Sequence, residues 1–394
     1  MWVPTSFKCA GLGGGVSMDW NRTLPPTPKK PKAPSLRRWA LALLTIGGLW
    51  AIFLTRYSAL VKPVDHGLWV PCFLLALAMV AVLGLRLGIY LMQLGYFDEL
   101  QCHAANAERA LKTWAHRHLA VVASCTVLPD GVSASALLVD QQAFKPRTGT
   151  ARRLAKLPEG NVARASLAQQ RLLTAMLPAI RALPPSHRLN VTLLTDTDIN
   201  EQAALTHAWQ ESWQHSMPSL PSATLCMTRT LSYQWIEEKL DAASPAAELI
   251  LVVQVCGGAA YSDGLAAMLI GAGTVAQSQG LPIIAKLHRP MPFAADTVET
   301  AFASFIRAQA LAQGAVGVLT EQADGNVLID RLMAADPAFS PRQRWNRESL
   351  CGVSGPCGHW LLMALGAEMA RHRQPLVALA QEGSHRWINT VSGA

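Results

Sequence analysis

Two long apolar runs near the N-terminus constrain this chain more than any other feature. Trp39 to Thr55, WALALLTIGGLWAIFLT, is 17 residues without a charge, and Gly67 to Leu85, GLWVPCFLLALAMVAVLGL, is 19 more. After Arg86 the apolar run resumes through LGIYLMQLGYF. About 20 apolar residues cross the hydrocarbon of a bilayer, so the spacing predicts two transmembrane helices, over 39–57 and 67–94. Trp39 and Tyr57 suit the interface. A signal peptide followed by a buried helix fits less well, because the run is long and no small-x-small cleavage site follows it.

Charge sets the expected orientation. Residues 1–66 carry nine Lys and Arg against two Asp and Glu, and the remaining residues carry 25 against 24. The net charge of +8 is therefore an N-terminal property, and a neutral body does not read as a nucleic-acid binder. Lys29, Lys30, Lys32, Arg37 and Arg38 precede the first run, whereas the connecting loop holds only Arg56 and Lys62 against Asp65. The positive-inside rule then places both termini in the cytoplasm of a two-span protein of the bacterial inner membrane. Residues 1–38, with GLGGG and LPPTPKKPKAP, read as a disordered basic tail.

Beyond the second run, DELQCHAANAERALKTWAHRH extends the helix as a stalk over 95–118, and residues 119–394 read as an α/β domain. Strands are expected at 119–128, 188–198, 247–257, 281–287, 314–320 and 374–381. Helices are expected at 166–182, 199–215, 233–243, 297–313, 326–334 and 358–372. Alternation of this kind indicates helices packed on a mixed or parallel sheet. No internal repeat emerges from the pattern.

Most catalytic signatures are absent: there is no P-loop, no G-x-G-x-x-G after a strand, no H-E-x-x-H and no G-x-S-x-G. The eight cysteines are scattered without zinc-ligand spacing, and a cytoplasmic body would hold them as reduced, buried hydrophobes. Asp196 and Asp198 end a strand, where they are expected to cap the next helix. No metal and no cofactor is expected.

Two segments carry a resemblance. Tyr261-Ser262-Asp263-Gly264-Leu265-Ala266-Ala267-Met268-Leu269 looks like the GEGAAALVLE segment of the thiolase-like β-ketoacyl synthases. Cys357-Gly358-His359 through Gly366-Ala367 looks like their TGHxxGAAG loop and buried helix. The resemblance covers roughly 225–394 and implies a thiolase-like layered α/β/α body, with 119–224 as the other half of a duplicated fold. It also implies a Cys nucleophile opening a helix where this chain has Arg229 to Trp235, and a His after the strand at 314–320, where it has Glu321-Gln322. Only His359 matches the implied Cys-His-His set. Condensation needs an activated nucleophile, so no catalytic set is assigned, and His359 is expected to be a hydrogen-bonded residue at a helix start.

The function expected is that of a membrane-anchored, catalytically inactive scaffold. Its partners would be the bilayer, proteins of a membrane complex and further copies of itself. The layout is similar to bacterial type VI secretion accessory membrane proteins. The alternatives are a membrane-bound acyltransferase or condensing enzyme using Cys226 or Cys357 with His359, and a sensor using a vestigial pocket.

Overall fold

The structure, a computed structural model, describes residues 20, 29–60, 69–140, 144–184, 188–218, 223, 225–242, 244–322, 324–372 and 374–394. Most of the expected tail and of the expected connecting loop lies outside these. The chain forms two units, residues 1–110 and 111–394.

The first unit is helical. Helix α1 covers Leu36–Leu60, and α2 runs from Trp69 to Ala115, ending in the second unit. The stretch Ala76–Ala115 is long and apolar enough, by length and composition, to cross a membrane. Leu77, Val80, Leu85 and Met92 all expose their side chains along it. Among the described residues this is one such stretch where two were expected; residues 69–94 of the second expected span and the stalk up to Ala115 form one uninterrupted helix, and His118, expected to end the stalk, opens β1.

The second unit opens with β1 (His118–Val127), α3 (Ala134–Val139), α4 (Asn161–Arg181), β2 (Leu189–Thr195) and α5 (Gln202–Ser216). Next come β3 (Leu225–Thr228), α6 (Gln234–Ala242), β4 (Ala247–Gln254), β5 (Gly264–Ala272) and α7 (Gly273–Ser278). Then follow β6 (Ala285–His288), β7 (Met291–Phe293), α8 (Val298–Ala308), β8 (Gly317–Thr320) and α9 (Gly325–Ala335). The chain closes with β9 (Gln343–Asn346), α10 (Arg347–Cys351), α11 (Gly358–Ala370), β10 (Leu376–Glu382) and β11 (His385–Gly393).

The strands form one sheet in the order β3-β2-β4-β5-β1-β6-β11-β10-β8-β9, with β7 added on β11. Read outward from the central β1·β6 pair, the two sides are the same. β2 lies parallel to β3 and β4, β4 antiparallel to β5, and β5 antiparallel to β1. Likewise β8 lies parallel to β9 and β10, β10 antiparallel to β11, and β11 antiparallel to β6. The body is a duplication, joined where His118 to Val121 pair antiparallel with His288 to Ala285. The halves therefore meet between β5 and β6. The division expected near residue 225 is displaced, and the Tyr261–Leu269 segment belongs to the first half.

Burial explains the layering. Strand β4, AELILVVQ, is buried along its whole length, as a strand covered on both faces must be. Leu249, Leu251 and Val253 face α4 and α5, and Ile250 and Val252 face the opposite way, toward the core around α6 and α11. Helix α11, GHWLLMALGAEMA, is apolar all round and almost wholly buried, the signature of a helix enclosed by protein. It touches β1, β5, β6, β8, β10 and β11, strands of both halves. Helices α8 and α9 pack together on the second half, α8 against β7 and α9 against β8 and β9.

Candidate functional site

The duplication places α6 and α11 at matching positions, each leading into the long inner strand of its half. Their N-termini meet, and this is where the condensing chemistry implied by the resemblance would lie. The loop before α6 supplies Leu231, Ser232 and Tyr233, with no thiol. Tyr233 is fully buried and its hydroxyl donates to the His359 carbonyl at 2.8 Å. In return, the Leu231 carbonyl lies 2.9 Å from His359 Nε2 and accepts from Trp360 Nε1 at 2.6 Å. Ser232 Oγ donates to Glu382 Oε2 at 2.8 Å.

Aromatic rings close what remains. Tyr233 meets His359, Trp360 and Trp387 edge-on with centroids 5.5, 5.7 and 6.1 Å away, and Trp235 meets Trp360 at 5.8 Å. Such edge-to-face pairs add to the burial of the rings themselves. Burial, together with the carboxylates of Glu321 and Glu382, pushes the Tyr233 hydroxyl well above its ordinary range, so it stays a neutral donor.

The second half presents Glu321 where the resemblance implies a histidine. Glu321 is 4% exposed; its Oε1 accepts from Ser354 Oγ at 2.6 Å and its Oε2 from the Gln381 amide at 2.9 Å. Arg347, wholly buried, donates to the same Ser354 hydroxyl. The first half repeats the device. Asp196 accepts from the Val255 and Cys256 amides at 3.1 and 2.8 Å and from the Tyr261 hydroxyl at 3.1 Å. Thr195 pairs with Val253 and Thr320 with Leu379, so Asp196 and Glu321 hold equivalent places. Asp196 fastens the backbone just past β4, and Glu321 fastens it at Gln381, near the end of β10. Asp198 caps the following turn through the Asn200 amide, as expected, but Asp196 does not.

Of the free thiols described, Cys226 alone is exposed. Cys357 is buried just ahead of α11, its amide bonded to Gln254 Oε1 at 2.9 Å, and burial raises its thiol far above the range in which thiolates form. Burial pushes Cys125 and Cys256 up to about 12 and Cys351 to about 11. Cys226 is exposed on β3, the outer edge strand, and shares no element with His359. The exposure of Cys226 departs from the expectation that the cysteines are all buried hydrophobes. Among the described residues no group of three or more His, Cys, Asp or Glu could hold a metal ion.

Tyr233, Glu382, Arg347 and Tyr261 were not singled out from the sequence as site residues. The match of Leu193-Leu194-Thr195-Asp196 to Val318-Leu319-Thr320-Glu321, which went unread as a repeat, is the sequence signal that relates Asp196 to Glu321.

No protein-family model matches the sequence, and no curated protein matches it. Solved structures do. The oxazolomycin ketosynthase domain from Streptomyces albus JA3453 is similar over 71% of this chain and 96% of its own, at 12% identity and a TM-score of 0.50. The ketosynthase from module 1 of the bacillaene synthase of Bacillus amyloliquefaciens covers 71% of this chain and 77% of its own, at 8% identity and the same score. At such identities the likeness concerns fold alone: this chain carries a mixed α/β body of the thiolase-like, β-ketoacyl synthase-like kind.

Proposed function

We propose that this body does no condensing chemistry and serves as a scaffold, held at a bacterial inner membrane by its N-terminal helices and binding protein partners. One observation carries the proposal. The space between the N-termini of α6 and α11 is occupied by mutual hydrogen bonds of Leu231, Tyr233, His359 and Trp360. An acyl thioester would need a nucleophile and an oxyanion site there, and both positions are filled by groups already bonded to each other. The membrane address rests on the apolar runs and on the basic residues before Trp39. The type VI secretion setting is part of the same proposal and rests on layout alone.

The competing reading is a membrane-bound condensing enzyme or acyltransferase, which the ketosynthase-like neighbours favour by fold. Incubating the purified protein with acyl-coenzyme A and acyl-carrier-protein thioesters separates the two. Intact mass should show no acyl adduct, while partner proteins should co-purify from solubilised membranes. An adduct on Cys226 or Cys357 that disappears in a folded His359→Ala variant would establish the enzyme. Orientation is tested separately: a reporter active only outside the cytoplasm should work when fused at Lys62 and stay silent at Ala394.

A further inference from the structure

Strand β1 has two partners for only part of its length. It pairs with β5 from Leu119 to Val127, but with β6 only from His118 to Val121. Among the described residues, Ala123 to Val127 therefore have a neighbouring strand on one edge alone. Helix α11, which belongs to the second half, lies over this stretch of the first. Ser124 Oγ donates to the Ala364 carbonyl at 3.1 Å, and Thr126 faces Glu368 one helical turn later.

Glu368 is out of character with its helix. Every other residue of α11 is buried, and Glu368 is its sole carboxylate. The Oε1 atom is nonetheless enclosed without a hydrogen-bond partner, and the enclosed Thr126 Oγ1 has none either. A buried carboxylate oxygen without a donor is costly when charged and far less so when protonated.

The surroundings hold little charge to offset that cost. Elements α3, β5 and β8, all packed on α11, carry no ionisable side chain. Strand β1 presents Cys125, whose thiol is pushed up to about 12 by burial and then by Glu368. His118 at the far end of β1 and Lys286 and His288 on β6 cluster with His116, and His359 stands at the opposite end of α11. Glu382 on β10 is bonded to Ser232, Arg386 on β11 to Asp324, and His385 is exposed. Arg371 follows the helix directly. Burial, the largest cause, raises the Glu368 carboxyl from 4.5 to about 7, and the Thr126 hydroxyl and amide and the Arg371 guanidinium pull the other way without cancelling it.

We propose that Glu368 is a proton-operated latch between the halves: its neutral carboxyl seats α11 on the one-sided stretch of β1, and its ionisation loosens that stretch. The closed form holds the proton more tightly than the opened one. Loosening therefore begins as the pH rises past 4.5 and is complete above about 7.

Hydrogen exchange of the full-length protein in neutral detergent, read by mass spectrometry at roughly pH 6 and pH 8 and corrected for the intrinsic pH dependence of exchange, tests the latch. Peptides covering 123–127 and 364–370 should lose about tenfold in protection between the two pH values in the parent. Glu368→Gln, which keeps the shape of the neutral carboxyl, should lose essentially none. Thr126→Val removes a group that lowers the Glu368 carboxyl, so the loss should move to higher pH; this variant decides should Glu368→Gln fail to fold. Protection of both segments that ignores pH in the parent, an equal loss in folded Glu368→Gln, or a loss spread evenly over the whole body overturns the proposal.

Discussion

At the scale of single residues, the seam between the halves is sensitive to acid. His288 stands on β6, 2.9 Å from Ser392 Oγ, with the rings of His116 and His118 centred 6.2 and 5.7 Å away. Burial first, then His118, His116 and Lys286, lower it from 6.5 to about 3. A histidine whose pKa falls on folding favours the native state while neutral. Its contribution is complete above pH 6.5 and drains as the pH falls from 6.5 toward 3. Between pH 7 and pH 4 the parent should therefore lose on the order of 2–3 kcal/mol more stability than His288→Gln. Urea titrations monitored by tryptophan fluorescence at the two pH values would measure this, and parallel losses would exclude it. Little of this was visible in the sequence, because His116, His118 and His288 come together only through strand pairing.

At the scale of elements, most long apolar stretches were legible and most short strands were not. The runs LAVVASCTVL, AELILVVQ and QPLVALAQ read as strands because they are apolar and continuous, and the structure has β1, β4 and β10 there. The largely apolar GHWLLMALGAEMA was expected as a buried helix from its resemblance to the helix after the TGHxxGAAG loop, and α11 lies there. Strands β3, β7 and β9, three or four residues long, escaped notice, and so did the nine-residue β5, which was matched only as part of the Tyr261–Leu269 segment. β11, HRWINTVSG, mixes polar and apolar side chains that are nearly all buried, so its pattern conceals its position. Close approach between elements supplies a test. A Cβ at Gly317 on β8 would overlap the Trp345 ring on β9, and that ring is buried and cannot retreat. Gly317→Ala should cost about 1–3 kcal/mol by overpacking. Gly271→Ala on β5, where the added methyl meets nothing within 4 Å, should cost far less. Denaturant midpoints of the pair measure the difference, and equal midpoints would mean that β9 gives way freely.

At the scale of the molecule, the body begins inside α2, upstream of the first strand. Leu111, Trp114 and Ala115 are buried, and the Arg289 guanidinium lies 4.2 Å from the centre of the Trp114 ring. A chain starting at Asp98 should fold cooperatively without the upstream apolar runs. One starting at His118 loses these side chains and should be less stable by at least about 3 kcal/mol, the usual cost of deleting a buried tryptophan. Comparing the melting of the two fragments decides the matter. The duplication was the main feature hidden from sequence reading, because the halves match in topology while sharing little more than the Leu-Leu-Thr-Asp and Val-Leu-Thr-Glu strand ends. The missing thiol and the glutamate at position 321 could be read directly, whereas the bonds tying Leu231 and Tyr233 to α11 required the fold.

The pairing of β1 with β6 also bears on how the chain is made. β1 is the first strand of the body to leave the ribosome, yet one of its edges has no partner until Ala285–His288 has been synthesised. Its other partner, β5, arrives only slightly earlier, at Gly264–Ala272. Contacts so distant along the chain form slowly. During translation the first half therefore waits with an open strand edge, a template for wrong pairing. Holding that nascent half apart from its neighbours until β6 arrives is a demand on the cell that follows from placing the seam at the very first strand.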